Sequence, residues 1–166
     1  MKAGILSDSH DQRAPVDAAL ALFRAEGVGA VLHLGDVCDP GILSGYEELG
    51  VPLHGVFGNN DHRRDAFRGE SRFDFREGPV ILTVSDRKVL MAHSFDELRG
   101  ELGGSGRFDL VLFGHTHRPM TMRVGRALVL NPGETCGFMK GKPTCAVVDL
   151  ATMEARIVDI PLPPSG

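Results

Sequence analysis

Seven side chains with nitrogen or oxygen donors stand at the ends of short apolar segments of the sequence. The clearest case is Gly114-His115-Thr116-His117, which follows the apolar run 109–113 and comes just before Pro119. Such a run is typical of a buried strand, and a short loop after it lets both imidazoles aim at nearby points. The seven side chains are Asp8, His10, Asp36, Asn59, His93, His115 and His117.

These donors have the chemistry of a metal site. Neutral imidazole is the commonest metal ligand in proteins. A mixture of carboxylate, amide and imidazole without thiolate suits manganese, iron or zinc. Seven donors exceed the four of a tetrahedral zinc site, and they are about right for two ions that share one carboxylate. Taken singly, each residue could close a turn, cap a helix or pack as an ordinary histidine. As an ordered set they predict metal binding.

The elements that must position these side chains form βαβ units first and hairpins later. In open α/β sheets, ligands gather beyond the carboxyl ends of the strands. We therefore expect the seven donors to meet at one edge. The predicted strands are 2–6, 28–34, 51–57, 73–75, 79–84, 89–92, 109–113, 120–123, 127–130, 145–150 and 154–160, and the predicted helices are 15–26, 40–49 and 95–102.

Composition limits the class of protein. The chain has 166 residues, 42% hydrophobic and 24% charged, which suits one domain over 1–160 with a loose tail at 161–166. A net charge of -4 disfavours a nucleic-acid polymer as partner. No apolar run reaches the roughly 18 residues of a membrane span. We therefore expect no signal peptide and a cytoplasmic protein without a membrane partner. Cys38, Cys136 and Cys145 are expected to be reduced thiols.

The donors occur in five short motifs whose order is informative. By the order and approximate spacing of these motifs, the chain resembles the calcineurin-like metallophosphoesterases, and among them the small single-domain bacterial and archaeal phosphodiesterases. The resemblance extends from Lys2 to about Asp159. It implies an α/β fold, an αββα sandwich of two mixed β-sheets flanked by helices. The motifs are Asp8-Ser9-His10, Gly35-Asp36, Gly58-Asn59-Asn60-Asp61, His93 and Gly114-His115-Thr116-His117.

The resemblance also implies roles for these residues. Asp36 would bridge two divalent ions, and a hydroxide held between the ions would attack the phosphorus. Manganese is favoured, with iron, zinc, nickel or cobalt as alternatives. One ion would take Asp8, His10, Asp36 and His117, and the other Asp36, Asn59, His93 and His115. The catalytic residues would be Asp36, Asn59, His93 and His117, with Asn60, Asp61 and His62 next to them.

Asn60 departs from the wider family pattern. Many members follow the ligand Asn with a His that protonates the leaving group, whereas the small phosphodiesterase subgroup lacks this His. An amide cannot donate a proton as an imidazolium does. We therefore predict that rates depend steeply on the pKa of the leaving group, unless a neighbour such as His62 or His117 serves as the acid.

The predicted function is hydrolysis of the phosphodiester, or secondarily the phosphomonoester, bond of a small substrate. One alternative is a non-catalytic interaction scaffold, because a retromer subunit shares this fold. The other is a DNA nuclease. All seven donors are present, which favours the enzyme, and the small acidic chain disfavours a long nucleic-acid groove. The sequence leaves open the substrate, the metal and whether the chain forms a homo-oligomer.

Some polar residues receive no catalytic role. His33 lies inside a predicted strand and is expected to be packed and hydrogen-bonded. His54 is expected to be a strand or surface residue. The basic stretch Arg63–Arg76 could contact a phosphate, but a solvated helix face is favoured.

Overall fold

The computed structural model describes residues 1–67, 73–103 and 107–162. The strands are β1 Lys2–Leu6, β2 Val28–His33, β3 Leu53–Val56, β4 Phe73–Arg76, β5 Val80–Val84, β6 Arg87–Met91, β7 Leu110–Leu112, β8 Met120–Val124, β9 Ala127–Asn131, β10 Thr144–Asp149 and β11 Glu154–Asp159. The α-helices are α1 Arg13–Glu26 and α2 Ser44–Leu49, and single 3₁₀ turns lie at Pro40–Leu43, Arg64–Phe67 and Asp96–Leu98.

The strands form two mixed sheets. The first has the order β11-β10-β1-β2-β3-β4, in which β1 to β4 are parallel and β10 and β11 are antiparallel. The second has the order β5-β6-β7-β9-β8, with a parallel centre and antiparallel edges. The α/β class and the two mixed sheets are as predicted. Crossover connections are required between parallel strands, and α1 supplies the one between β1 and β2.

The main core lies between the two sheets. It contains Ile5 and Leu32 from the first sheet and Met91, Leu112 and Leu130 from the second, all fully buried. On the outer face of the first sheet, the apolar stripe of α1 packs against the strands. The aromatic ring of Phe23 lies so close to Gly4 that a Cβ there would come within 2.6 Å of it, so the glycine allows this helix to approach β1.

The predicted helix 95–102 is wrong. Only Asp96–Leu98 forms one 3₁₀ turn, continued by ordinary turns. Glycines at 100 and 103 and the absence of a side-chain cap leave too short a segment to offset helix nucleation. The predicted helix 40–49 is divided into a 3₁₀ turn and α2. Consequently, in the described part of the chain, α-helices cover the first sheet but not the second.

The carboxyl ends of β1, β2, β3, β6 and β7 meet at one edge of the sandwich. Asp8 N–H donates to the Gly35 carbonyl (3.0 Å) and His10 N–H to the Asp36 carbonyl (2.9 Å), which locks the loops after β1 and β2 together. The loop after β7 joins the other sheet, because His115 N–H donates to Asp8 Oδ2 (3.1 Å). This edge therefore holds the predicted donors. Among the described helices, none has the length and apolarity needed to cross a bilayer.

Candidate metal centre

The structure brings all seven predicted donors together in two overlapping sets. In the first, His117 Nε2 lies 3.4 Å from Asp8 Oδ1. His10 Nε2 lies 3.9 Å from the same oxygen and 3.6 Å from Asp36 Oδ2. The His10 and His117 rings stack with centroids 5.4 Å apart. Two carboxylates and two imidazoles thus face one point.

The second set lies beside the first. His93 Nε2 is 3.0 Å from Asn59 Oδ1 and 3.5 Å from Asp36 Oδ2. His115 Nδ1 is 3.1 Å from Asn59 Oδ1 and 3.2 Å from His93 Nε2. Asp36 therefore belongs to both sets, and the same oxygen, Oδ2, faces His10 and His93. A single carboxylate oxygen occupies the position between the two groups.

Asn60 and Asp61 hold this carboxylate and its loop. Asn60 donates to Asp36 twice, from its backbone N–H to Oδ1 (2.8 Å) and from its side-chain amide to Oδ2 (2.7 Å). The buried Asp61 carboxylate accepts from the backbone N–H groups of Asp36 (2.9 Å), Gly58 (2.7 Å) and Cys38 (2.7 Å). It therefore fixes the loops after β2 and β3 to each other. Both residues position Asp36.

Hydrogen bonds select the tautomer of His93. Its Nδ1 lies 2.7 Å from the Leu34 carbonyl, which can only accept, so Nδ1 carries the proton. In the neutral ring, Nε2 then offers a lone pair toward Asn59 and Asp36. A backbone carbonyl behind the imidazole is the usual arrangement for a metal-binding histidine. His93 is oriented to bind a cation.

Glu134 does the same for His117 and was missed by the sequence reasoning. His117 Nδ1 donates to the buried Glu134 Oε2 over 2.7 Å, which leaves Nε2 facing Asp8. Glu134, His117 and Cys136 also form a group with the spacing of metal ligands. The available signal was the position of Glu134, directly after the Asn131-Pro132-Gly133 turn that ends β9. That strand is the parallel neighbour of β7.

The donor atoms fit a cation. Asp8 Oδ1 and His10 Nε2 are buried and have no hydrogen-bond partner in the described part of the chain. Burial is the main cause that raises the pKa of Asp8 above its ordinary value, against a hydrogen bond from Ser7 that lowers it. Unpaired buried polar atoms are costly unless an ion satisfies them. The chemistry of the donors therefore matches divalent metal ions, as the groups Asp8–His10–His117 and Asp8–Asp36–His93 indicate.

The backbone at this edge is strained. Five of the seven donors have a positive φ although none of them is glycine. Such strained residues cluster at functional sites and persist only where the surrounding structure restrains the backbone. The interlocked loops described above provide that restraint. These residues are Asp8 (53°), His10 (42°), Asp36 (56°), His115 (64°) and His117 (59°).

The remaining histidines behave differently. His33 is fully buried, accepts from Gly35 N–H at Nδ1 (3.2 Å) and contacts Ser9 Oγ through Nε2 (3.1 Å), as predicted. His54 is a half-buried residue of β3 that pairs with Asp74 (3.1 Å). His62 is exposed and lines a cavity beside the candidate metal centre.

Where the structure describes it, at 63–67 and 73–76, the basic stretch does not form the expected helix face. Arg64 pairs with Glu77 (2.6 Å) at the edge of the site. Arg76 lies on β4 and pairs with Asp74 (2.9 Å), and Arg63 pairs with Asp39 (3.2 Å). Two further members, Arg68 and Arg72, lie outside the described residues.

Comparison with known proteins identifies the family. Residues 1–153 match the model of the calcineurin-like phosphoesterase superfamily domain. The chain belongs to this superfamily. It is 33% identical over 162 residues to the phosphodiesterase MJ0936 of Methanocaldococcus jannaschii, covering 94% of this chain and 97% of that protein. The resemblance stated from the motifs is confirmed, and with it the prediction of a metal-dependent phosphoric ester hydrolase.

Two solved structures extend the comparison. An archaeal phosphodiesterase superimposes with a TM-score of 0.88 at 30% identity, covering 96% of this chain and 99% of that one. Vps29 from Entamoeba histolytica, in complex with zinc, gives a TM-score of 0.69 at 17% identity, with 97% and 100% covered. At this lower identity the second likeness shows the fold alone. The calcineurin-like fold is thus shared by phosphodiesterases and by a protein of vacuolar sorting.

Proposed function

We propose that this phosphoesterase hydrolyses small phosphodiesters with two divalent ions, of which manganese is favoured, bound at the candidate metal centre. The observation that carries the proposal is the placement of Asp36 Oδ2 between two sets of donors. One set would be Asp8, His10, Asp36 and His117, and the other Asp36, Asn59, His93 and His115.

The side chains around the centre would prepare it for reaction. Two divalent ions, when bound, activate water and neutralise charge on the phosphoryl oxygens. Leu34 and Glu134 hold the imidazoles of His93 and His117 so that a lone pair faces inward. Because these groups are held before substrate arrives, they need no reorganisation during the reaction.

Asn60 donates to Asp36 from both its backbone N–H and its side-chain amide. Its amide therefore positions the bridging carboxylate and supplies no proton to the leaving group. A positioned general acid is worth about 10²–10⁴-fold in rate. We infer that esters with acidic leaving groups, such as nitrophenol, are cleaved much faster than alkyl esters.

Cavities on both sides of the centre favour a diester over a monoester. One, of about 340 Å³, borders His93 and His115, and the other, of about 450 Å³, borders His10 and His117. A phosphoryl group between them could direct one substituent into each cavity. A monoester would fill only one.

The test is hydrolysis of bis(4-nitrophenyl) phosphate by protein stripped of metal and then reloaded with manganese. We expect no turnover without metal and full turnover after reloading. Asp36→Asn should lower the turnover of the reloaded protein by about a hundredfold or more, because a preorganised charge is lost. Asp74→Asn, a matched carboxylate change on β4, should leave turnover unchanged. Full activity in metal-free protein would refute the proposal, and inactivity of the reloaded protein would favour the scaffold function.

A further inference from the structure

The loop between β9 and β10 places two exposed apolar side chains beside the candidate metal centre. Phe138 is 57% exposed and Met139 is 56% exposed. The Phe138 ring lies 5.7 Å from the His10 ring, centroid to centroid, at an angle of 58°. Both side chains line the 450 Å³ cavity, together with Asn60 and His62. An apolar wall thus adjoins the metal donors.

Hydrogen bonds fix this loop against the site. Thr135 N–H donates to the Ser7 carbonyl (2.8 Å) and Cys136 N–H to the Asp8 carbonyl (3.1 Å). Beyond Phe138, Lys140 N–H donates to Glu134 Oε1 (2.6 Å), and Glu134 is the carboxylate that holds His117. Hydrogen bonds before and after Phe138 and Met139 in the chain therefore hold this loop against the loops that carry the metal donors.

The two cavities differ in charge. Among the described residues, the wall of the 450 Å³ cavity contains no Asp, Glu, Lys or Arg side chain. The 340 Å³ cavity on the other side is bordered by Arg64, Glu77 and Glu97. By its lining, the first cavity suits an uncharged, flat group, and the second suits a polar or charged group.

We propose that Phe138 and Met139 form a subsite for an aromatic substituent, aryl or nucleobase, of the phosphate ester. The inference rests on the proposed function, because the phosphoryl group must lie at the metal centre to direct its substituent here. Aromatic groups pack favourably on a phenylalanine ring, and methionine sulfur adds a favourable contact at a ring edge. Stacking of a base on an aromatic side chain strengthens binding by about five- to 150-fold.

Binding of phosphonates tests the subsite without turnover, because their carbon–phosphorus bond is not hydrolysed. Titration calorimetry on the manganese-loaded protein would compare methylphosphonate with phenylphosphonate. We expect phenylphosphonate to bind about tenfold more tightly, the lower part of the stacking range. A nucleoside 5′-phosphonate, measured in parallel, distinguishes the nucleobase from the aryl group as the preferred occupant.

Variants assign the preference to the loop. Phe138→Ala should remove most of the tenfold preference while methylphosphonate binds as before, and Met139→Ala should remove part of it. Met122→Ala, which changes a similarly exposed methionine on β8, is the matched control and should keep the preference.

The outcomes separate the two proposals. Equal affinity of the native protein for the two small phosphonates, or an equal loss of both in Phe138→Ala, would overturn the subsite while leaving the phosphodiesterase function intact. If manganese binds but neither phosphonate does, and the diester is not hydrolysed, the proposed function itself fails.

Discussion

At the scale of single residues, Glu134 lies outside the predicted donor set but orients one of its members, His117. Glu134→Gln removes the negative charge beside His117. It also replaces two acceptor oxygens, which bind His117 Nδ1–H and Lys140 N–H, by one. Removal of such a partner typically costs 10–100-fold in metal affinity. We expect a loss in this range for manganese binding, measured by calorimetry. Glu77→Gln, at the rim of the site, is the matched control, and an unchanged affinity in Glu134→Gln would contradict the role.

His33, at the end of β2, makes the stability of the folded chain depend on pH. Burial is the main cause that lowers the pKa of His33 from its ordinary value to about 3; electrostatic interactions with His93 and His10 act in the same direction, and Asp36 opposes them. The unfolded chain takes up this proton below about pH 6.5, whereas the folded chain does not until about pH 3. Stability is therefore complete above pH 6.5 and falls as the pH decreases toward 3.

The prediction concerns metal-free protein unfolded by urea at pH 7.5 and pH 5. Proton uptake by His33 in the unfolded chain should by itself lower the free energy of unfolding by about 2 kcal/mol between pH 7.5 and pH 5. His33→Gln is less stable at both pH values, because a packed ring is lost, but it should lose about 2 kcal/mol less than the native protein on acidification. An equal loss in both proteins would show that His33 titrates normally. His54→Gln, which is half-buried, serves as the control.

At the scale of elements, the end of β3 depends on close contact with the loop after β2. A Cβ at Gly58 would lie 2.5 Å from the Asp36 backbone nitrogen and would also collide with the Asp36 carboxylate. Gly58→Ala must therefore displace Asp36, at a cost of about 1–3 kcal/mol for overpacking. We expect weaker manganese binding together with a lower urea midpoint. At Gly100 a Cβ would meet nothing within 4 Å, so Gly100→Ala should change neither quantity.

The elements also show what could be read from the sequence. A polar residue follows each of the strands β1, β2, β3, β6 and β7, and this pattern predicted the donors. The prediction of a common site followed because the carboxyl ends of parallel strands lie at one edge of a sheet. Glu134 follows the turn that ends β9, but it was missed because its proximity to His117 also requires β9 to lie next to β7, and its position after the turn does not reveal that pairing. Phe138 was missed for the same reason: its loop reaches His10 only through bonds to the loop after β1.

At the scale of the whole molecule, the centre joins the two sheets. Asp8, Asp36 and Asn59 follow strands of the first sheet, whereas His93 and His115 follow strands of the second. The order of strands within the sheets was beyond sequence reasoning, because it depends on tertiary packing. So was the outer face of the second sheet, which packs against Leu98 and Phe108 and against no described α-helix. That residues 1–160 form one domain, and that the protein is cytoplasmic, remain predictions.

This arrangement predicts that metal binding stabilises the whole chain. An ion that binds only the folded state adds about 2.7 kcal/mol at a hundred times its dissociation constant. For a chain of this length each kcal/mol raises the melting temperature by about 2–4 °C, so a rise of about 5–10 °C is expected. Scanning calorimetry of metal-free protein with increasing manganese would measure it.

Variants show whether the rise comes from the link between the sheets. His115→Ala removes a donor of the second sheet and should reduce the rise, and Asp36→Asn, which affects both donor sets, should reduce it more. His54→Gln, outside the centre, should retain the full rise. A melting temperature independent of manganese in the native protein, or one that rises equally in Asp36→Asn, would mean that the ion does not bind between the sheets. The ion would then stabilise a local loop, or bind folded and unfolded chains alike, and the edge where the two sheets meet would be held by its hydrogen bonds alone.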